Sequence, residues 1–120
     1  IVLARDTYIR PHRHRGKSES FHMIEGELDV VVFHDDGSVR EIVRMGDYRS
    51  GRTFFYRLMD DCYHTVLINT PFGFFHETTN GPFNRSDTEF APWSPAESDP
   101  DAMAYLDHLR SLTSTLNAAA

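Results

Sequence analysis

A chain of 120 residues that is 40% hydrophobic and 25% charged has the size and balance of one soluble globular domain, not of a disordered segment. Its formal net charge of -6 argues against the broad electrostatic attraction that non-specific nucleic-acid binding needs, so no nucleic-acid partner is expected. A single cysteine, Cys62, rules out an internal disulfide and a Cys-rich zinc site and fits a reducing, cytoplasmic setting; no run approaches a membrane span and no charged-then-apolar start marks a signal segment, so no membrane partner is expected.

The first two thirds read as β, in short runs of Val, Ile, Phe, Tyr and Thr broken by turn signals. Residues 7–14, "TYIRPHRH", form one extended run in which Pro11 disfavours a helix. Residues 20–34, "SFHMIEGELDVVVFH", read as strand with a bulge or bend at Gly26. Asp36-Gly37 marks a hairpin turn, and "SVREIVRM" returns as its partner strand. "GDYRSG" is a loop, "TFFYRLM" and "CYHTVLIN" are further strands, and "TPFG" turns the chain into "FFHETT". Strands this short, with turns this frequent, suggest a sandwich or a small barrel.

After Gly81 the character changes. Residues 80–100 carry four of the six prolines and read as an ordered irregular segment, pinned by Phe83, Phe90 and Trp93 through buried aromatic surface. Asp99-Pro100 is a helix start, a capping residue followed by proline at the first helical position. Ala102, Met103, Leu106, Leu109, Leu112 and Leu116 recur at spacings of three and four, which predicts an amphipathic helix over 100–116. Its apolar face covers either the β domain or a second subunit. The domain division is therefore 1–95 for the β unit with its Pro-rich segment and 96–120 for the helix.

The chemistry concentrates in residues 11–26, "PHRHRGKSESFHMIEG". In a strand, residues i and i+2 share a face, so His12 and His14 can converge on one ion about 2.0–2.1 Å from each nitrogen, taking zinc as the guide. The "RGKS" loop reverses the chain, and Glu19 can return from the neighbouring strand as a third ligand. A fourth has to come from further along. His34 at a turn and His108 on the terminal helix are poorly placed, and His22 faces away from Glu19. His64, mid-strand in an apolar run, is the inward candidate, with His76 in reserve. The competing reading is a solvated basic hairpin, with Arg13 and Arg15 beside two exposed histidines.

The same residues resemble the first motif of the cupin superfamily, G-(x)5-H-x-H-(x)3,4-E-(x)6-G. His12, His14, Glu19 and Gly26 fit it, with Asp6 in place of the leading glycine. Of the second motif, G-(x)5-P-x-G-(x)2-H-(x)3-N, His64 survives, while Thr53, Met59, Asp61 and Ile68 replace the rest. Residues 7–95 look like the WbuC-type cupin-fold metalloproteins, whose late signature is matched by Glu77, Gly81, Pro82, Phe83, Phe90 and Trp93. The resemblance implies an all-β fold with a C-terminal helix, built as a small antiparallel β-barrel (the double-stranded β-helix) with the metal inside. It implies a divalent transition metal (Fe, Mn, Ni or Zn) on His12, His14, Glu19 and His64. It also hints at surface-polysaccharide chemistry and at pairing into a homodimer.

By parity, Tyr8 and Arg10 should line the same interior as His12, and Arg10 can grip an anionic substrate or pair at the mouth with a carboxylate. Phe21 and Met23 share the parity of Glu19 and should fill core beside the metal or form a pocket wall. Glu77 on an apolar strand is the candidate catalytic acid or base, unless that strand turns His76 inward instead. Cys62 shares the face of His64. Three functions fit: a metal-dependent enzyme on a small sugar-derived or organic-acid ligand, a non-catalytic metal and small-ligand module, or a metal-free epimerase-like protein using histidine as base.

Overall fold

The structure is a computed structural model and describes residues 1–59, 61–82 and 84–119, without the side chains of 117–119. The strands are β1 (Val2–Ala4), β2 (His12–His14), β3 (Glu19–Glu25), β4 (Glu27–Phe33), β5 (Val39–Gly46), β6 (Phe55–Leu58), β7 (His64–Ile68), β8 (Phe72–Thr79) and β9 (Thr88–Phe90), followed by the helix α1 (Ala102–Ala119). They pair into two antiparallel sheets, one of four strands in the order β1-β8-β3-β6 and one of five in the order β5-β4-β7-β2-β9. Among the described residues the ladder does not close, so the expected barrel is corrected to two open sheets sharing a core. The sequence carries the strands, but which strand pairs with which is a non-local property that period-2 alternation cannot set.

Each strand's pattern follows from what covers it. In β3, Glu19, Phe21 and Met23 are buried while His22, Ile24 and Glu25 are exposed, the alternation of a sheet with one wet face. In β4, Leu28 to Phe33 are all buried, because this strand is covered on both sides. Val30 and Val32 join Phe21, Met23, Leu58 and Phe75 between the sheets. Val31 and Phe33 turn to the other side and pack with Tyr63, Leu67, Ala91, Leu106 and Leu109 beneath α1. The helix thus covers the five-stranded sheet of its own chain. Of its predicted apolar stripe, Ala102, Leu106 and Leu109 are buried, whereas Met103 and Leu116 lie exposed. The Asp99 carboxylate accepts from the Asp101 amide at 2.8 Å, the hydrogen bond expected of a capping residue.

Gly26, read as a bend, is where the chain leaves one sheet for the other. It lies between β3 and β4, which pair with different neighbours, at φ +90°. Asp36-Gly37 closes the β4–β5 hairpin as expected, with Phe33 opposite Val39. Two expectations change. Residues 7–11 are not strand, so the extended run shortens to β2. The irregular segment contains β9, which pairs with β2. Trp93 pins that segment onto the hairpin, its ring tilted against Phe33 with centroids 5.0 Å apart and its indole N–H donating to the Asp35 carbonyl at 2.9 Å. Phe83, named with it, lies outside the described residues.

Candidate metal centre

β2 sits between β7 and β9, with His12 directly opposite His64 and with His14 opposite Thr88. This register sets three imidazoles on one face of the five-stranded sheet. The ring centroids are 4.6 Å apart for His12 and His64, 5.0 Å for His12 and His14, and 6.0 Å for His14 and His64. Glu19 completes the group from the other sheet. The expected hairpin is therefore corrected: β3 pairs with β6 and β8, not with β2, and the partly exposed "RGKS" loop carries the chain from one sheet to the other. That loop is held by the Gly16 amide, which donates to the Asp61 carboxylate at 3.0 Å.

One ligand atom from each of His12, His14, Glu19 and His64 lies within 4.8 Å of all the others. An ion with ligands at about 2.1 Å holds opposing donors about 4.2 Å apart, so small side-chain rotations close the set. Glu19 and His64 are each 3% exposed. His64 Nε2 faces Glu19 Oε2 at 2.6 Å, yet neither atom has an aligned hydrogen-bond partner. Buried polar atoms left in this state are unfavourable and uncommon, and a shared cation would satisfy both. The donor set fits a metal ion, and this group could hold one.

The tautomers favour the same reading. His12 Nδ1 lies 2.9 Å from the Arg10 carbonyl and His64 Nδ1 lies 3.0 Å from the Cys62 carbonyl. A carbonyl only accepts, so both Nδ1 atoms carry hydrogen and both Nε2 atoms offer lone pairs. His14 Nδ1 meets the Thr88 hydroxyl at 3.2 Å. Burial, and then the His64 ring, push His12 down to about 4; burial also lowers His14. Neutral imidazoles are the form that binds a metal. Burial opposes ionisation of Glu19, but the adjacent His64 and Glu77 outweigh it and hold the carboxyl below the usual range. Glu77 goes the other way, raised by burial and by its hydrogen bond with Glu19.

Glu77 is opposite Phe21 in the ladder, while His76 pairs with His22. Glu77 is half-buried and His76 exposed, so the strand turns Glu77 inward and His76 out. A pocket of about 250 Å³ is lined by Ile1, His14, Lys17, Glu77, Thr79 and Asn84. It leads from the surface to His14, one of the four clustered residues, and to Glu77 beside them. At its wall Lys17 donates to the Pro82 carbonyl at 2.7 Å and pairs with Asp87 at 3.3 Å.

Phe21 and Met23 are 1% and 2% exposed and fill core, with the Phe21 ring 6.4 Å from His64. Tyr8 and Arg10 depart from expectation. Tyr8 packs beneath the helix with its ring edge-on to Tyr105 at 5.9 Å, and its hydroxyl donates to the Pro95 carbonyl at 2.8 Å. Arg10 donates to Ser94 Oγ at 3.0 Å and to the Ala91 carbonyl at 3.2 Å, with its guanidinium 5.0 Å from the centre of the Phe90 ring. Parity fails for both because residues 7–11 are not in a strand. Arg13 and Arg15 point away from the histidines and share Glu89, at 3.0 Å and 2.9 Å, so the solvated-hairpin reading fails for His12 and His14. Cys62 lies outside the ligand group, with Sγ 2.9 Å from Arg40. Thr88 was not singled out from the sequence; its signal is the alternation of "TEF", which three residues are too few to establish.

The model of a family described as a domain of unknown function, DUF6016, matches residues 1–45, which hold three of the four clustered residues but not His64. No curated protein matches. Among solved structures, Protein SO0799 from Shewanella oneidensis is similar with a TM-score of 0.62 at 16% identity, over 74% of this chain and 57% of that one. This likeness shows the fold alone, and the chain spans less than two thirds of that protein. Among the described residues no helix is long and apolar enough to cross a membrane.

Proposed function

We propose that this chain is a cupin-type protein that holds one divalent transition metal on His12, His14, Glu19 and His64 and acts on a small sugar-derived or organic-acid ligand. The observation that carries this reading is the convergence of four ligand atoms within 4.8 Å, two of them buried without a hydrogen-bond partner. Three imidazoles and one carboxylate, without thiolate, suit iron, manganese, nickel or zinc. The bound ion would supply Lewis-acid polarisation of a ligand oxygen. The chain supplies the rest. The Arg10 and Cys62 carbonyls and the Thr88 hydroxyl fix the rings. The pocket beside His14 and Glu77 admits the ligand, and Glu77 is the group placed to hold or move a proton. That pocket favours a working site over a sealed structural one.

Elemental analysis of protein purified without a histidine tag tests the metal. One equivalent of a transition metal is expected, with large losses in His12→Ala, Glu19→Ala and His64→Ala. Unchanged content in all three variants defeats the assignment, and a metal-free wild type returns the epimerase-like reading. Thermal-shift screening with sugars and organic acids then tests the ligand, whose stabilisation should disappear in the apo protein. A metal-loaded protein that no such ligand stabilises is the non-catalytic module.

A further inference from the structure

A second polar pocket, of about 230 Å³, lies on the helix side of the five-stranded sheet, and its wall includes Arg5, Arg44, Arg52 and Arg110 with Glu27 and Asp29. It is separate from the histidine cluster. Asp29 is opposite Leu67 in the ladder, whereas His64 is opposite Val32, three residues or about 10 Å further along β4. Asp29 also shares the face of Val31 and Phe33, turned away from the interior between the sheets.

The charges in this pocket do not balance. Arg44 is ion-paired with Asp29 and donates to the Thr113 carbonyl at 2.8 Å. Arg52 lies 3.5 Å from Glu27. Among the described residues, Arg5 and Arg110 hydrogen-bond to neutral acceptors: Arg5 donates to the Asn69 carbonyl at 2.9 Å, and Arg110 to Asn69 Oδ1 at 3.4 Å and to the Arg5 carbonyl. The wall sets four guanidinium groups against two carboxylates, and Asp107 acts on Arg110 from the helix as a third, which leaves a local excess of one positive charge on a chain of net charge -6. Burial, and then Arg5, lower the proton affinity of Arg110, and Asp107 and Asp29 offset this only in part.

One acceptor in the same wall is also unmet. Asp29 is 2% exposed, and its Oδ1 has no hydrogen-bond partner. The pocket therefore offers guanidinium donors on one side and a buried acceptor on another. A fully deprotonated oxyanion such as sulfate satisfies the arginines but turns a lone pair toward Asp29. Inorganic phosphate keeps at least one proton at neutral pH and can satisfy both. We infer that this pocket binds a protonated oxyanion, inorganic phosphate in its simplest form, with Arg5 and Arg110 donating to its oxygens and Asp29 Oδ1 accepting from its P–OH group.

Isothermal titration calorimetry on the full chain tests this, using sodium phosphate, sodium sulfate and glycerol 3-phosphate at matched ionic strength. Saturable phosphate binding is expected, with sulfate weaker by about tenfold or more, the value of one hydrogen bond to a charged group. Arg5→Gln and Arg110→Gln should each weaken phosphate by about tenfold on the same ground. Asp29→Asn should narrow the phosphate-to-sulfate ratio; because it also breaks the pair with Arg44, the arginine variants carry the test if it misfolds. Preference for free phosphate over glycerol 3-phosphate is expected, because a phosphomonoester has largely lost its second proton at neutral pH, and the reverse overturns the contact between Asp29 and a P–OH group. Equal affinity for sulfate and phosphate overturns the inference. So does phosphate binding that both arginine variants leave unchanged, or none by roughly ten millimolar, beyond the millimolar affinities typical of the weakest specific sites.

Discussion

Gly26 has a backbone that only glycine adopts without strain, φ +90°, and a Cβ built on it would lie 2.6 Å from the Phe72 carbonyl oxygen and 2.7 Å from Thr70 Oγ1. Gly26→Ala meets both obstacles, so a loss of about 2–4 kcal/mol is expected in urea denaturation. A loss under about 0.5 kcal/mol, the level of a neutral surface change, would mean that the crossing between sheets relaxes freely. Thr88 acts on the site through one contact, its hydroxyl 3.2 Å from His14 Nδ1. Thr88→Val should weaken metal binding about tenfold or more, the usual effect of removing a group that orients a ligand, in competition with a calibrated chelator. Equal affinity in the two proteins would leave His14 oriented by its strand alone. At this scale the site was largely legible, because His12-x-His14 and Glu19 lie close in sequence and His64 stands in an apolar run. Thr88 and the true positions of Tyr8 and Arg10 were not, since each depends on where a strand begins.

Among the elements, α1 covers one face of the five-stranded sheet and β9 forms one of its edges. Leu109 on the inner face of the helix is 2% exposed and packs with Val31, Phe33 and Leu67, so Leu109→Ala should cost about 2–5 kcal/mol, whereas the exposed Met103→Ala should stay within about 0.5 kcal/mol. Near-equal losses would mean that the helix does not seat on this sheet. β9 is held to β2 by Glu89, whose carboxyl is pulled down to about 2 by Arg13 and then Arg15. A depressed carboxylate stabilises the fold above its unfolded pKa and loses that effect as pH falls toward the folded value. The difference in stability between wild type and Glu89→Gln should therefore be steady above about pH 5 and shrink from there toward pH 2. A difference that does not change with pH would place the effect in packing rather than charge. β4 was legible as a buried run and the terminal helix as a 3.6-residue stripe, both local signals. β9 hid among prolines, and the exchange of a barrel for two open sheets turns on partners that no local pattern specifies.

In the molecule as a whole, the candidate centre spans the two sheets. His12, His14 and His64 belong to the five-stranded sheet and Glu19 to the four-stranded one. An ion held by all four would tie the sheets together at one end of the interior, while Phe21, Met23, Val30, Val32 and Phe75 fill the hydrophobic core between them. Binding to the folded chain alone then raises its stability by mass action. Free metal at about 1,000 times its dissociation constant contributes about 4 kcal/mol, and at roughly 4 °C per kcal/mol for a domain of this size the melting temperature should rise by about 15 °C. Chelation should remove the increase and re-addition restore it. Glu19→Ala keeps all three histidines but severs the link between sheets, so its melting temperature should respond far less to the same metal. Amide exchange separates this tie from simple ligation by histidine: in the wild type the metal should slow exchange in β3 as well as in β2 and β7, and in Glu19→Ala only in β2 and β7. Slowing confined to the histidine strands of the wild type would show that Glu19 is not a ligand.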